Sequence, residues 1–270
     1  MTKIRSLYYH NPTPEMFEKM VKHHKRYGYT FISIRKLYEI LTQQKPVKGK
    51  FVFISFDDGW QGNLQLLPII EKYNVPICVF VSTEPLVSGN FWWEYVSKEL
   101  DYNELQLFKK LPYKDFYNQL EGYKESHQLS RSAMTVEDLT NISKHPLISI
   151  QSHTVNHPIL TSLPENILEN ELANSKNGLE TLTGQPIFAF SYPNGSLSER
   201  EIKAVKRHYS IAFTTEQKNI SLTDDIYTLP RYALTGQFYR DLLKVLGIWM
   251  PIKGIFLCFR NLVPHLIRPK

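Results

Sequence analysis

Cysteine is almost missing from this 270-residue chain: only Cys78 and Cys258 are present. Two thiols so far apart exclude a disulfide framework, and neither has a neighbour at the spacing of a thiolate zinc site. The first ten residues, Met1 to His10, contain no apolar stretch of signal-peptide length, so the expected setting is cytoplasmic. No internal repeat and no low-complexity linker interrupts the sequence, which excludes solenoid arrays. Net positive charge is also scarce outside one place, since lysines and arginines elsewhere are nearly balanced by acids. The formal net charge is +6, and residues 236–270 hold six Lys and Arg against the single Asp241. Because these cations sit in an apolar tail rather than on a polar face, a nucleic-acid partner is not expected.

That tail contains Leu242, Trp249, Ile255 and Phe256 but is broken by Pro251, Lys253 and Gly254, so it is a poor spanning helix. Its composition suits peripheral contact with an anionic membrane, at the inner face if the chain is cytoplasmic. The alternative is an amphipathic segment packed on its own domain with lysines reaching outward.

Elsewhere strands and helices alternate. Leu7–His10 reads as a strand, and Thr13-Pro14-Glu15 opens a helix that stops at Gly28. Strands are expected over 29–34, 51–56, 76–82, 147–151, 187–191 and 211–215. Helices are expected over 34–41, 66–73, 136–143, 164–182 and 198–208, and residues 226–231 are extended. Residues 84–135, rich in aromatics and charge, read as an insertion of loops and helices. This order implies an α/β fold of parallel strands with crossover helices and a site at the strand C-terminal ends. A boundary is expected near 235, leaving a catalytic domain over 1–235 and a basic segment over 236–270.

Three segments carry chemistry. Phe51–Phe56 is a buried strand ending in Asp57-Asp58-Gly59. Two carboxylates side by side are unfavourable unless a cation shares the site. Ser152-His153-Thr154-Val155-Asn156-His157-Pro158 follows a later strand and offers two histidines four residues apart. Asp58, His153 and His157 are three ligands for a catalytic divalent metal with an open position, and Asp57 remains to act as a base. Phe190-Ser191-Tyr192-Pro193-Asn194-Gly195 leads from a strand into a tight turn whose backbone N–H groups can face an oxyanion. Taken singly, each segment also reads as an ordinary turn or a surface histidine pair; together they are much more specific.

In this order the three segments resemble the first three motifs of the NodB-type polysaccharide deacetylases, carbohydrate esterase family four, over roughly residues 7–235. The flanks Thr13-Pro14-Glu15, Trp92-Trp93 and Leu229-Pro230-Arg231 resemble one branch of it. The resemblance implies a distorted, seven-stranded (β/α) barrel and hydrolysis of N-acetyl groups on amino sugars. It implies Asp57 as base and Asp58, His153 and His157 around the metal, Zn²⁺ first and Co²⁺, Ni²⁺ or Mn²⁺ as alternatives.

Asn194 stands where the family has tyrosine, a position whose backbone N–H serves the oxyanion. Ser191 stands where many members have arginine, and Arg231 is the candidate replacement, orienting Asp57 by a charge-assisted bond; it is otherwise a structural arginine. The family's late leucine-x-histidine motif is missing. His10 is the candidate general acid, or a structural histidine. Tyr192, Trp92 and Trp93 are expected substrate contacts, the tryptophans being alternatively buried aromatics.

The expected partner is thus an N-acetylated saccharide: a polysaccharide, a glycolipid or a lipid-linked precursor. The rivals are an O-acetyl esterase or peptidoglycan deacetylase using the same site, and a catalytically silent protein that binds metal and glycan. A phosphoesterase fits less well, since two metals would need more ligands.

Overall fold

The computed structural model describes residues 2–43 and 47–247. Its spine is an all-parallel sheet. The strands are β1 (Thr2–Tyr9), β2 (Thr30–Phe31), β3 (Gly49–Asp58), β4 (Ile77–Val81), β5 (Ile148–Ser152), β6 (Ala189–Ser191), β7 (Ile211–Phe213) and β8 (Tyr232–Ala233). Seven follow the order β7-β6-β5-β4-β3-β1-β8, and β2 pairs β3 off this path. The sheet curls into the half-barrel the motifs imply, with helices against its outer face.

The helices begin where local chemistry starts them. Thr13 caps α1 (Pro14–Arg26) and Ser33 caps α2 (Ile34–Thr42), each accepting a backbone N–H. Reciprocal capping boxes open α8 (Val136–Ser143) and α10 (Glu199–His208). Between them lie α3 (Leu67–Tyr73) and α9 (Glu165–Thr183), the latter ended by Gly184 in the left-handed region.

Strand alternation sorts the interior into two cores. Val52, Ile54 and Phe56 of β3 face outward and pack with Phe17, Leu139, Leu168 and Val205 of the helices. Phe53 faces inward with Ile4, Cys78, Phe80, Ile211 and Phe213. The same inward row of β3 continues through Ser55 to Asp57, so the barrel lumen turns from apolar to ionic toward the strand ends.

Residues 226–234 close the curl. Ala212 N–H donates to Ile226 and Leu229 N–H to Ala212, while Leu234 N–H donates to Tyr8. This segment pairs along β7 and arrives beside β1 as β8, just past the extended stretch 226–231 of the sequence reading, which did not foresee it.

The insertion holds helices among its loops, as expected. It comprises α4 (Pro85–Ser88), α5 (Trp92–Val96), α6 (Tyr102–Phe108) and α7 (Tyr113–Ser126), with its own core of Trp92, Val96, Phe108, Phe116 and Leu120. Past residue 235 the described chain continues to residue 247. Helix α11 (Phe238–Val245) buries Val245 in the main core, and buried Asp241 accepts N–H bonds from Thr235 and Gly236. Residues 248–270, including Cys258 and most of the apolar tail, lie outside the described residues. Among those described, no helix is long and apolar enough to cross a membrane.

Candidate active site

The strand C-terminal ends surround a pocket of about 510 Å³. Asp57 and Asp58 end β3 and are almost fully buried. Asp58 has φ 77°, a left-handed conformation followed by Gly59 at φ 97°. That twist turns its carboxylate to the same pocket as Asp57 instead of the opposite face.

Asp57 is held from two sides by one guanidinium. Arg231 donates from Nη1 to Oδ1 at 2.7 Å and from Nη2 to Oδ2 at 2.8 Å. Nη1 also donates to Ser55 Oγ, Nη2 to Ser191 Oγ, and Nε to the Thr214 carbonyl. Ser191 Oγ passes its own proton toward Asp57 Oδ2 at 3.3 Å. Arg231 is fully buried and stacks 4.2 Å from the Tyr8 ring centre. Burial alone would raise the Asp57 pKa, but Arg231, with His153, outweighs it and holds the carboxyl below its ordinary value. Arg231 therefore sits beside Asp57, and Ser191 hydrogen-bonds to both.

Asp58, His153 and His157 converge within 4.8 Å of one another. The two imidazole Nε2 atoms lie 3.4 and 3.5 Å from Asp58 Oδ1. His153 Nδ1 lies 2.7 Å from the Ser191 carbonyl, which can only accept, so Nδ1 carries the proton and Nε2 presents a lone pair. Asp58 Oδ2 accepts from Trp60 Nε1, but Oδ1 is buried with no hydrogen-bond partner. A partnerless carboxylate oxygen facing imidazole nitrogens is an unfavourable arrangement that a cation relieves. The donor set, two nitrogens and one oxygen, fits a divalent metal of the zinc type. Burial, then His153, pushes the His157 pKa down to about 3, which keeps its ring neutral and able to ligate.

The histidine loop is shaped from behind. Thr154 and His157 both have positive φ. Glu171 on α9 accepts from Val155 N at 2.8 Å, Asn156 N at 3.0 Å and Asn156 Nδ2 at 2.6 Å. The sequence reading did not find Glu171; a buried glutamate within a helix carries no signal that separates it from its solvated neighbours.

Trp92 requires a correction. It is buried at 6% exposure, its Nε1 donates to the His157 carbonyl at 2.9 Å, and its ring packs on Phe116. It does not line the pocket; its buried ring matches the alternative reading, and its indole N–H braces the His157 backbone. Trp93 does line it, with its ring 4.6 Å from that of His157. His10 is exposed at the rim beside Tyr8. Tyr192 also lines the pocket, although its hydroxyl is buried without a partner.

Asn194 sits at φ 56° in the turn, and Gly195 follows at φ 67° with no room for a Cβ, which would lie 2.1 Å from Thr215 Oγ1. Five further lining residues were not singled out in the sequence: Tyr8, Trp60, Thr215 and, from the insertion, Leu105 and Lys109, the last of which donates from Nζ to Asn194 Oδ1 at 2.9 Å.

Comparison with known proteins places this geometry. The family profile described as polysaccharide deacetylase matches residues 44–210. The chain is 28% identical over 221 residues to "Putative polysaccharide deacetylase YxkH" of Bacillus subtilis, covering 81% of this chain and 64% of that protein. It therefore spans less than two thirds of that relative's length. It is 22% identical over 238 residues to the poly-beta-1,6-N-acetyl-D-glucosamine N-deacetylase of Staphylococcus epidermidis, covering 86% and 71% of the two chains. Among solved structures, the Streptococcus pyogenes deacetylase PplD in complex with acetate aligns with TM-score 0.67 at 21% identity, over 90% of this chain and 97% of that one. IcaB from Ammonifex degensii aligns with TM-score 0.66 at 16% identity, over 89% and 95%. At these identities the structural likeness concerns the fold.

Proposed function

We propose that this chain, which belongs to the polysaccharide deacetylase family, is a metal-dependent hydrolase that removes N-acetyl groups from amino sugars of a polysaccharide or its lipid-linked precursor. One observation carries the reading. Asp57, clamped by Arg231 and Ser191, faces the same pocket as the Asp58–His153–His157 triangle and its partnerless oxygen. The Staphylococcus epidermidis relative is named for a polymer of N-acetyl-D-glucosamine, which supports that sugar as the first candidate.

In this reading Asp57 takes a proton from water as the water oxygen bonds to the acetamide carbon. The backbone N–H of Asn194 faces the oxyanion that develops there. The carbon–nitrogen bond then breaks, the amine nitrogen takes a proton from His10 or from Asp57, and acetate and a free amino sugar leave. A divalent ion held by Asp58, His153 and His157 would supply Lewis-acid polarisation and a more acidic water, and zinc is the ion we favour over cobalt, nickel or manganese. Tyr192 and Trp93 form walls against which the sugar ring sits.

The test is acetate and free-amine release by zinc-loaded protein from N-acetylglucosamine oligomers and from a lipid-linked N-acetyl sugar, with Asp57→Asn as control. Release that disappears in the variant is expected. A protein that binds the metal and the saccharide yet releases nothing would be the silent binding protein instead. We further propose that 236–270 touches an anionic membrane. What supports this is the basic, apolar composition and the outward Tyr239 and Leu243 of α11, with outward Leu246 just after it. Full-length protein that fails to sediment with anionic vesicles would remove that proposal.

A further inference from the structure

The insertion contributes one charged group to the pocket wall. Lys109 follows α6, is only partly exposed, and reaches the pocket across 85 residues of sequence to donate to Asn194 Oδ1. Its ring neighbour is Trp92, 5.9 Å from Nζ. Among the described residues no carboxylate lies within ion-pairing distance of it, although most of the other lysine and arginine ion pairs of the chain are exposed surface ones. An ammonium uses three donors, and the bond to Asn194 occupies one.

The other charges of the pocket leave this cation unanswered. Asp57 is neutralised by Arg231, and Asp58 faces the imidazoles and is the carboxylate that a divalent ion would use. Burial also lowers the Lys109 pKa, which a bound anion would reverse.

Resting on the N-deacetylase reading, we propose that Lys109 determines specificity by binding an anionic group, a phosphate or a carboxylate, carried by the saccharide next to its N-acetylated sugar. A neutral saccharide offers Nζ only the dipole of a hydroxyl or carbonyl oxygen. An anion adds the attraction of an opposite charge in a partly desolvated site, where it is stronger than in bulk water. The substrate class is thus an acidic saccharide or one joined to a phosphate-bearing carrier. The bond to Asn194 keeps Nζ on the wall that also carries the proposed oxyanion donor, so the anion sits beside, and not on, the reacting acetamide.

The test uses full-length, metal-loaded protein as wild type, Lys109→Met and Lys109→Arg. Glucose trimers, which have no acetamide to lose, serve as probes in three forms: neutral, with a terminal phosphate, and with a terminal carboxylate. Quenching of the pocket tryptophans, Trp60 and Trp93, reports binding without turnover. Wild type is expected to bind one or both acidic trimers about tenfold tighter than the neutral one. Lys109→Met should lose that preference and keep the neutral affinity, and Lys109→Arg should retain it. The two acidic probes distinguish phosphate from carboxylate.

Equal affinities of wild type for all three probes would overturn the proposal. So would a Lys109→Met loss shared equally by neutral and acidic probes, since Lys109 would then only brace the Asn194 turn. Because this readout needs no acetate release, it stands or falls separately from the deacetylase assay.

Discussion

Arg231 and Asp57 are 174 residues apart in sequence and share two parallel hydrogen bonds of 2.7 and 2.8 Å at the floor of the pocket. Planar recognition of this kind fixes the carboxylate in position as well as in charge. Arg231→Met should reduce kcat about 100-fold or more and destabilise the fold by about 3–5 kcal/mol, because it strands a buried carboxylate. Arg231→Lys, with charge but no fork, should fall between. Chemical denaturation and acetate release measure the two effects. Wild-type activity after the Met substitution would reduce Arg231 to scaffolding.

The same pair sets an acid limb. The folded Asp57 pKa lies below its unfolded value, so its contribution to stability is complete above about pH 4 and is lost as pH falls through the depressed folded value. With Arg231 removed, burial dominates and the carboxyl protonates at higher pH. The acid limb of kcat/KM should therefore move upward in Arg231→Met, and an unmoved limb would assign it to another group.

His24 gives a second pH dependence, remote from the chemistry. It is fully buried under Arg5, with Nδ1 on the Met20 carbonyl, and burial pushes its pKa down to about 4. Its folded pKa is lower than the unfolded value near 6.5, so the unfolded chain binds the proton first. Stability should fall as pH drops from about 6.5 to 4, by about 3 kcal/mol in all. His24→Gln should flatten that part of the profile, visible in denaturant midpoints across the range.

Glu171 touches no substrate, yet three donors of the histidine loop converge on it. Glu171→Ala should weaken zinc binding about 10- to 100-fold, as loss of the groups behind metal ligands usually does. Competition with a chelator of known affinity would measure it, and unchanged affinity would mean the loop holds its shape without that clamp.

Zinc should raise the melting temperature, with about 2.7 kcal/mol of added stability at a hundredfold excess over Kd. Asp58→Asn should abolish most of the effect. A shift that persists in the variant would place the ion elsewhere.

Much of this is legible in the amino-acid sequence. The strand before Asp57, the capped start of α1 and the positions of the metal triad follow from alternation, capping chemistry and spacing, all of them local. What could not be read depends on register between distant segments. Nothing within residues 102–109 announces that Lys109 meets Asn194, and β8 is two residues long, too short for a periodic pattern. Trp92 illustrates a different limit. Adjacent tryptophans share a sequence signal, but the helical turn of α5 sends one ring to the pocket and the other to the insertion core.

The closing segment has a consequence for biosynthesis. Asp57 lies in the middle of the sheet and is synthesised early, whereas Arg231 arrives on the stretch that seals β7 to β1. Until that stretch has been made, Asp57 has no guanidinium to align it, so the geometry around this carboxylate is among the last features a growing chain can complete.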